Sequence, residues 1–170
     1  MVHNDTTHSH KKARGETRNP SIRVRSAESS DVLSCKMIAD QHKPVLGFLP
    51  KAVFQEAVER NKLLVAETNA HQIAGFVRFN HRVRGTETAI YDICVDCQLQ
   101  QQGVGRALVF ALAHECIKVS RSSIILRCPE GVAANNFYQH IGFQQVGIES
   151  GKRRRLVVWR FLVETALCSS

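Results

Sequence analysis

Apolar positions fall into short runs whose period switches between two and about 3.6, and the switches mark out an alternating set of strands and helices. Ile22–Arg25 reads as a short strand. Ser29 or Ser30 can cap a helix to about Lys43, with Val32, Leu33, Met37 and Ile38 on one face and Pro44 ending it. Pro50 suits the first turn of a second helix, Lys51–Asn61, with Val53, Phe54, Ala57 and Val58 inward. Leu63–Glu67 and Ile73–Val83 read as strands around a turn at Asn69–His71, and alternation of Phe76, Arg78 and Asn80 against Val77 and Phe79 gives the second one a wetter face. After a turn at Gly85, Ala89–Val95 is nearly continuously apolar, as in a strand covered on both faces.

A helix follows over Gly103–Val119, apolar most of the way round and therefore expected to be buried. Ile124–Cys128 is a β-branched strand, and Ala133–His140 a short helix closed by Gly142 as a C′ glycine. Phe143–Glu149 and Arg154–Val163 form a last strand pair around Ser150-Gly151. The order predicts an α+β, mixed α/β fold: an antiparallel meander, then a strand–helix–strand crossover that makes a parallel pair. Residues 21–165 form one domain. Met1–Pro20 lacks periodicity and reads as a disordered basic, His-rich tail.

Composition narrows this picture modestly. The 170 residues suffice for a single core, and no apolar stretch approaches a membrane span. Met1–Pro20 has no apolar segment of a secretory signal, so the chain is expected to be soluble and cytoplasmic, with no membrane partner. Its six cysteines are irregularly spaced and mostly inside apolar runs, which suits buried free thiols in a reducing compartment. Cys94-Val-Asp-Cys97 has no second ligand pair, so no metal is expected. The net charge of +8 favours anionic partners without choosing among them.

The segment that carries chemistry is Ile90–Leu112. A strand ends at Val95, a polar loop follows, and Gly103-Val104-Gly105-Arg106 opens a helix. Glycines there permit a tight turn and a close ligand approach. The first helical N–H groups lack internal partners and, with the helix dipole, attract phosphate oxygens, and Arg106 adds charge. On these residues alone, a tight connection with no ligand explains the sequence equally well. The third glycine of a dinucleotide fingerprint and the Gly-Lys-Ser/Thr of a P-loop are both missing.

Gln100-Gln101-Gln102-Gly103-Val104-Gly105 resembles the Q/R-x-x-G-x-G/A motif of the GNAT acetyltransferase superfamily, and Phe137-Tyr138 through Gly142-Phe143 resembles that family's second signature, with a helix–strand–helix between them. The resemblance covers nearly everything outside the tail. It implies a mostly antiparallel central sheet with a splayed parallel strand pair, flanked by helices, and acetyl-CoA as cosubstrate. It implies that amides from Gln101 to Arg106 hold the pyrophosphate. It also implies that the backbone of Ile93, Cys94 and Val95, splayed from Ile124–Cys128, holds the pantetheine arm and polarises the thioester carbonyl. Tyr138 resembles the general acid that protonates the leaving thiolate. Asp92 resembles an acidic residue that serves as base or amine anchor, with water as a relay. Asp92 and its neighbour Tyr91 cannot both face the cleft without a bulge.

Two departures matter. Relatives that acetylate ribosomal-protein N-termini carry Glu where Leu126 stands, which argues against that subclass. Many members carry Asn where Gly131 stands, leaving Asn135 or Asn136 to replace a pantetheine contact. Lys152–Arg155 reads either as a solvated hairpin tip or as a selector of anionic acceptors through Arg154 or Arg155. His42 stands where relatives line the acceptor site, and an exposed residue at a helix end is the plainer reading. The resulting expectation is an N-acetyltransferase acting on an amine-bearing small molecule or peptide, with a homodimer allowed. The alternatives are a non-catalytic acyl-CoA sensor on the same fold, and an enzyme acting on a nucleic-acid-linked acceptor such as aminoacyl-tRNA.

Overall fold

The computed structural model describes residues 21–167, so the tail expected over 1–20 and the thiol of Cys168 lie outside the described residues. Four strands form an antiparallel meander: β1 (Ile22–Ser26), β2 (Leu63–Thr68), β3 (Ile73–His81) and β4 (Glu87–Val95). Between β1 and β2 lie α1 (Val32–Gln41), a short α2 (Lys43–Leu46) and α3 (Lys51–Glu59). Then come α4 (Val104–Lys118), β5 (Ser123–Pro129), α5 (Ala134–His140), β6 (Gln144–Ser150), β7 (Arg155–Leu162) and α6 (Glu164–Leu167). The strands make one seven-stranded sheet in the order β1-β2-β3-β4-β5-β7-β6. Only β4 and β5 pair in parallel; β7 inserts between β5 and β6. No helix among the described residues is long and apolar enough to cross a membrane.

Each face of the sheet carries its own core, as the alternation of strand side chains requires. On one face, Phe54 and Ala57 of α3 and Cys35 and Ile38 of α1 pack on Val65, Phe76 and Cys94. On the other, Leu108, Val109 and Leu112 of α4 meet Val77, Ile90, Leu126 and Trp159, with Tyr138 and Phe143 closing that layer. Two details differ from the sequence pattern. Leu33 and Met37 of α1 point outward, each about 60% exposed, because Val32, Cys35, Ile38 and Ala39 form the buried stripe. Pro44 does not end a helix; it sits in the first turn of α2, where its missing N–H costs no bond. The α4 helix is also less enclosed than its composition suggests, since His114 and Ile117 are exposed.

β1 is fixed to α1 by an ion-pair node. Arg25 donates to Asp31 at 2.7 and 3.1 Å and to Glu67 of β2 at 2.9 Å. Asp31 also accepts from the Glu28 N–H at 2.8 Å. Burial pushes the Asp31 carboxyl up, but the hydrogen bonds from Arg25 and from the Glu28 N–H outweigh it and hold the group below the usual carboxylate range. A carboxyl depressed on folding stabilises the fold above its unfolded pKa, near ~3.9, and loses that stabilisation as pH falls through the folded value. Asp31→Asn should therefore lower stability at pH 7 by about 2 kcal/mol and flatten the stability–pH slope below about pH 5 relative to the parent chain. Urea unfolding from pH 2 to pH 7 measures both, and parallel slopes would contradict this role.

Candidate functional site

β4 and β5 stop being neighbours partway along. Their pairing is limited to Glu87 with Ser123, Thr88 with Ile124 and Ala89 with Ile125. β4 stays paired with β3 as far as Val95, and β5 stays paired with β7 as far as Pro129. The two strands therefore diverge and leave a gap. The antiparallel register decides which groups face it. The Asp96 N–H bonds the Ala74 carbonyl at 2.8 Å, so the residues of β4 that bond β3 are Cys94 and Asp92. The N–H and C=O of Ile93 and Val95 then point toward β5, where no strand meets them. One of these four groups is taken: His42, at the end of α1, places Nε2 at 2.8 Å from the Val95 carbonyl oxygen. A carbonyl only accepts, so Nε2 carries the hydrogen. His42 is thus half-buried at the mouth of the gap rather than simply exposed.

The loop beyond β4 runs into the start of α4. Asp96 caps a 3-10 turn by accepting from the Gln98 N–H at 2.9 Å, and Gln41 of α1 accepts from the Cys97 N–H at 2.9 Å. Gln101 and Gly103 both have left-handed backbones, φ 61° and 81°. At Gly103 a side chain would have open space, so its glycine is required by conformation. The first intrahelical bond runs from the Ala107 N–H to the Gly103 carbonyl at 2.9 Å. The N–H groups of Val104, Gly105 and Arg106 precede it and are the free donors of the helix. The Gln100 and Gln101 side chains are exposed, that of Gln102 is half-buried, and Val104 is buried in the core, so its only free group is on the backbone. The Arg106 guanidinium lies 4.3 Å from the Phe110 ring centroid, along the helix.

Gly105 has a different reason for being glycine. A Cβ there would lie 2.8 Å from Cζ of Phe137. The helix that offers the free amides is thereby docked against α5, which carries Tyr138. Tyr138 is buried, with its ring 5.3 Å from Phe137 and 5.5 Å from Phe143. Burial pushes its hydroxyl well above the usual phenol range, and Cys128, Cys94 and Asp92 push it further. No group among the described residues hydrogen-bonds this hydroxyl, and the only sealed, unpartnered side-chain polar atoms among them are Arg121 Nε and Arg160 Nε. The hydroxyl therefore remains open to a ligand. α5 is closed just past its C-cap Ile141 by Gly142, φ 105°, with the Phe143 N–H bonding the Tyr138 carbonyl at 2.9 Å.

Asn135 is engaged by its own protein. Its amide donates to the Pro129 and Val132 carbonyls at 2.8 and 3.1 Å and accepts from Trp159 Nε1 at 2.8 Å. It ties the end of β5 and the start of α5 to β7, and both of its donors are in use.

Asp92 is buried and bonded by Arg78 Nε at 2.7 Å, with a second contact from Nη2. Burial raises the proton affinity of the carboxyl, and Arg78 opposes that rise without cancelling it. The β3–β4 register slips here: Arg78 pairs with Asp92 but Phe79 with Ile90, so Tyr91 is a bulge residue. The bulge brings Tyr91 to the side of Asp92, where its ring lies 5.2 Å from the Arg78 guanidinium. Arg78, absent from the sequence-based site, stands between the two; its place on the wetter face of β3 was the available signal. Leu126 is buried in the α4 layer. Arg154 donates to the Val45 carbonyl of α2 at 2.9 Å, so the basic turn leans on the α1–α2 corner instead of standing free. Of the Cys94–Cys97 pair, only Cys97 is exposed.

A family model described as acetyltransferase (GNAT) domain matches residues 36–158. No curated protein sequence matches. Among solved structures, Ard1 from Thermoplasma volcanium is similar with a TM-score of 0.73 and 20% identity, over 83% of this chain and 97% of that one. The ribosomal-protein-S18-alanine N-acetyltransferase from Escherichia coli gives 0.69 and 21%, over 84% and 94%. N-acetylglutamate synthase from Neisseria gonorrhoeae, complexed with coenzyme A and N-acetyl-glutamate, gives 0.68 and 14%, over 82% of this chain and 35% of that one. At these identities the likeness is one of fold.

The docking of α4 on α5 can be tested directly. Gly105→Val should lower the Tm, and the loss should shrink when Phe137→Ala is made in the same chain, with a coupling of at least about 1 kcal/mol. A double-mutant cycle by thermal unfolding measures it; additive effects would contradict the contact.

Proposed function

Because the chain belongs to the GNAT acetyltransferase family, we propose that it transfers an acetyl group from acetyl-CoA to a primary amine of a small molecule or peptide, by direct attack with both substrates bound. The observation that carries this reading is the gap itself, in which no strand meets the Ile93 edge or the Val95 N–H; free helix amides at Val104–Arg106 and a tyrosine hydroxyl with no hydrogen-bond partner support it. These donors suit the cosubstrate in kind and order. The helix amides suit a pyrophosphate, the strand edge suits an amide-bearing arm, and the hydroxyl suits a sulfur.

Acetyl-CoA, when bound, supplies the electrophilic thioester carbon. The N–H groups of Val104, Gly105 and Arg106, together with the Gln101–Gly103 backbone, hold the diphosphate. Ile93 and Val95 align the pantetheine arm, and the Ile93 N–H donates to the thioester oxygen as charge builds on it. The acceptor reaches the site with a pKa near ~10.4 and must shed a proton before its lone pair can attack. Asp92, whose proton affinity is raised by burial while Arg78 keeps it oriented, takes that proton directly or through water. As the C–N bond forms and the C–S bond breaks, Tyr138 gives its proton to sulfur, and the second proton that the acylated nitrogen sheds returns to Tyr138 through water. Asn135 positions α5 through Trp159 and the end of β5, and Gln100 flanks the diphosphate from the loop.

Tyr138→Phe should reduce kcat about 100-fold and leave the calorimetric Kd for acetyl-CoA unchanged; equal turnover would remove Tyr138 from the chemistry. The pH profile offers a separate check. Burial keeps Tyr138 protonated beyond the usual phenol range, so kcat/KM should climb with pH as amine and base lose protons and show no falling limb below about pH 10. A bell-shaped profile with a fall near pH 8 would contradict the assignment. Asp92→Asn should lower kcat/KM throughout.

A further inference from the structure

The face of the sheet that α1 and α3 cover over β2 and β3 is open further along, where it forms a groove of about 750 Å³ floored by Ala89 and Ile125. The groove is continuous, through Ile125 and Arg127, with a second hollow of about 310 Å³ that reaches β6 and β7. One wall of the larger groove is the Arg78–Tyr91 stack beside Asp92, so the groove opens onto the proposed site of amine attack. Four guanidinium groups line the two hollows: Arg78, Arg82, Arg127 and Arg160. They face two carboxylates, Glu87 and Glu149, or three with the buried Asp92 included.

The guanidinium groups are held in place but not saturated. Arg127 uses Nε and Nη2 on Glu149, at 2.6 and 2.9 Å. Glu87 is shared by Arg82 at 3.1 Å and Arg160 at 3.0 Å. Each guanidinium has five N–H donors, so several in each remain unmatched. Arg160 Nε is sealed from solvent with no acceptor. Exposed guanidinium groups with spare Nη donors, beside an excess of positive charge, match a carboxylate or phosphate.

From this arrangement we propose that the acceptor carries an anionic oxygen group as well as its amine, and that the groove of Arg82, Arg127 and Arg160 binds that group while the amine lies at Asp92. This rests on the acetyl-transfer reading above and specifies the acceptor class. The basic turn at Lys152–Arg155 is not needed for this selection, because Arg154 is bonded to α2 and Arg155 lies 3.5 Å from Glu130.

The test titrates CoA-loaded protein calorimetrically with 4-aminobutyrate, 5-aminopentanoate, 6-aminohexanoate and 3-aminopropyl phosphate, and with the amides of the three acids. The acids should bind about tenfold more tightly than their amides, and the phosphate arm tells which anion is preferred. In Arg82→Gln and Arg127→Gln the preference should fall below about threefold, with the Kd for CoA unchanged. Equal affinity of acids and amides, or no binding by either, overturns the inference, as does tRNA binding that displaces the acids. Acetyl transfer on the same panel separates the two readings. Preference without product overturns the acetyl-transfer reading alone, and product without preference overturns the anion inference alone.

Discussion

The fold turns on a lost interaction. β4 and β5 pair through Ala89 and Ile125 and then part, although each keeps its other neighbour to the end. A strand edge left unpaired inside a sheet exposes strong donors and acceptors that must find partners. At Ile93 and Val95 those groups sit in a gap between two anchored strands, which is a rigid place to hold an extended, amide-bearing ligand. The bulge at Tyr91 falls just past the last β4–β5 pair, where its bend and added twist turn β4 away from β5. The same bulge puts Tyr91 beside Asp92, so one local irregularity shapes both the gap and the Arg78–Tyr91–Asp92 cluster.

The gap is held open by contacts that join distant parts of the chain. Gln41 and His42 at the end of α1 hold the Cys97 N–H and the Val95 carbonyl. Asn135 joins the end of β5 and the start of α5 to Trp159 of β7. Gly105 lets Phe137 approach α4, so the start of α4 and the tyrosine-bearing helix are a single packed unit. The two sequence motifs are therefore in physical contact, and a change in either moves the other.

Much of this was legible in the sequence. Periodicity gave the strand and helix order, because a half-buried sheet imposes a period of two and a packed helix one of 3.6. Gly103 and Gly142 were readable because left-handed backbone leaves few residues to choose from. What stayed hidden was set by partners far along the chain. Leu33 and Met37 look inward by type, but the stripe that meets the sheet runs through Cys35 and Ala39. That Asp92 bonds a neighbouring arginine is one reading the sequence allows, but that the arginine is Arg78 is set by the β3–β4 register, which leaves no compositional mark. Gly105 looks like a ligand-approach glycine until Phe137 is seen against it. Asn135 looks available until Trp159 occupies its oxygen.

The central claim is that alternate residues of β4 differ in backbone pairing because β5 has parted from them. Amide hydrogen exchange, resolved residue by residue and followed with and without acetyl-CoA, tests it most directly. Asp92 and Cys94 amides should exchange slowly in both states, whereas those of Ile93 and Val95 should exchange fast in the free protein and become protected when acetyl-CoA is added. Uniform protection of all four in the free protein, unchanged by acetyl-CoA, would mean that the strands remain paired and would contradict the account.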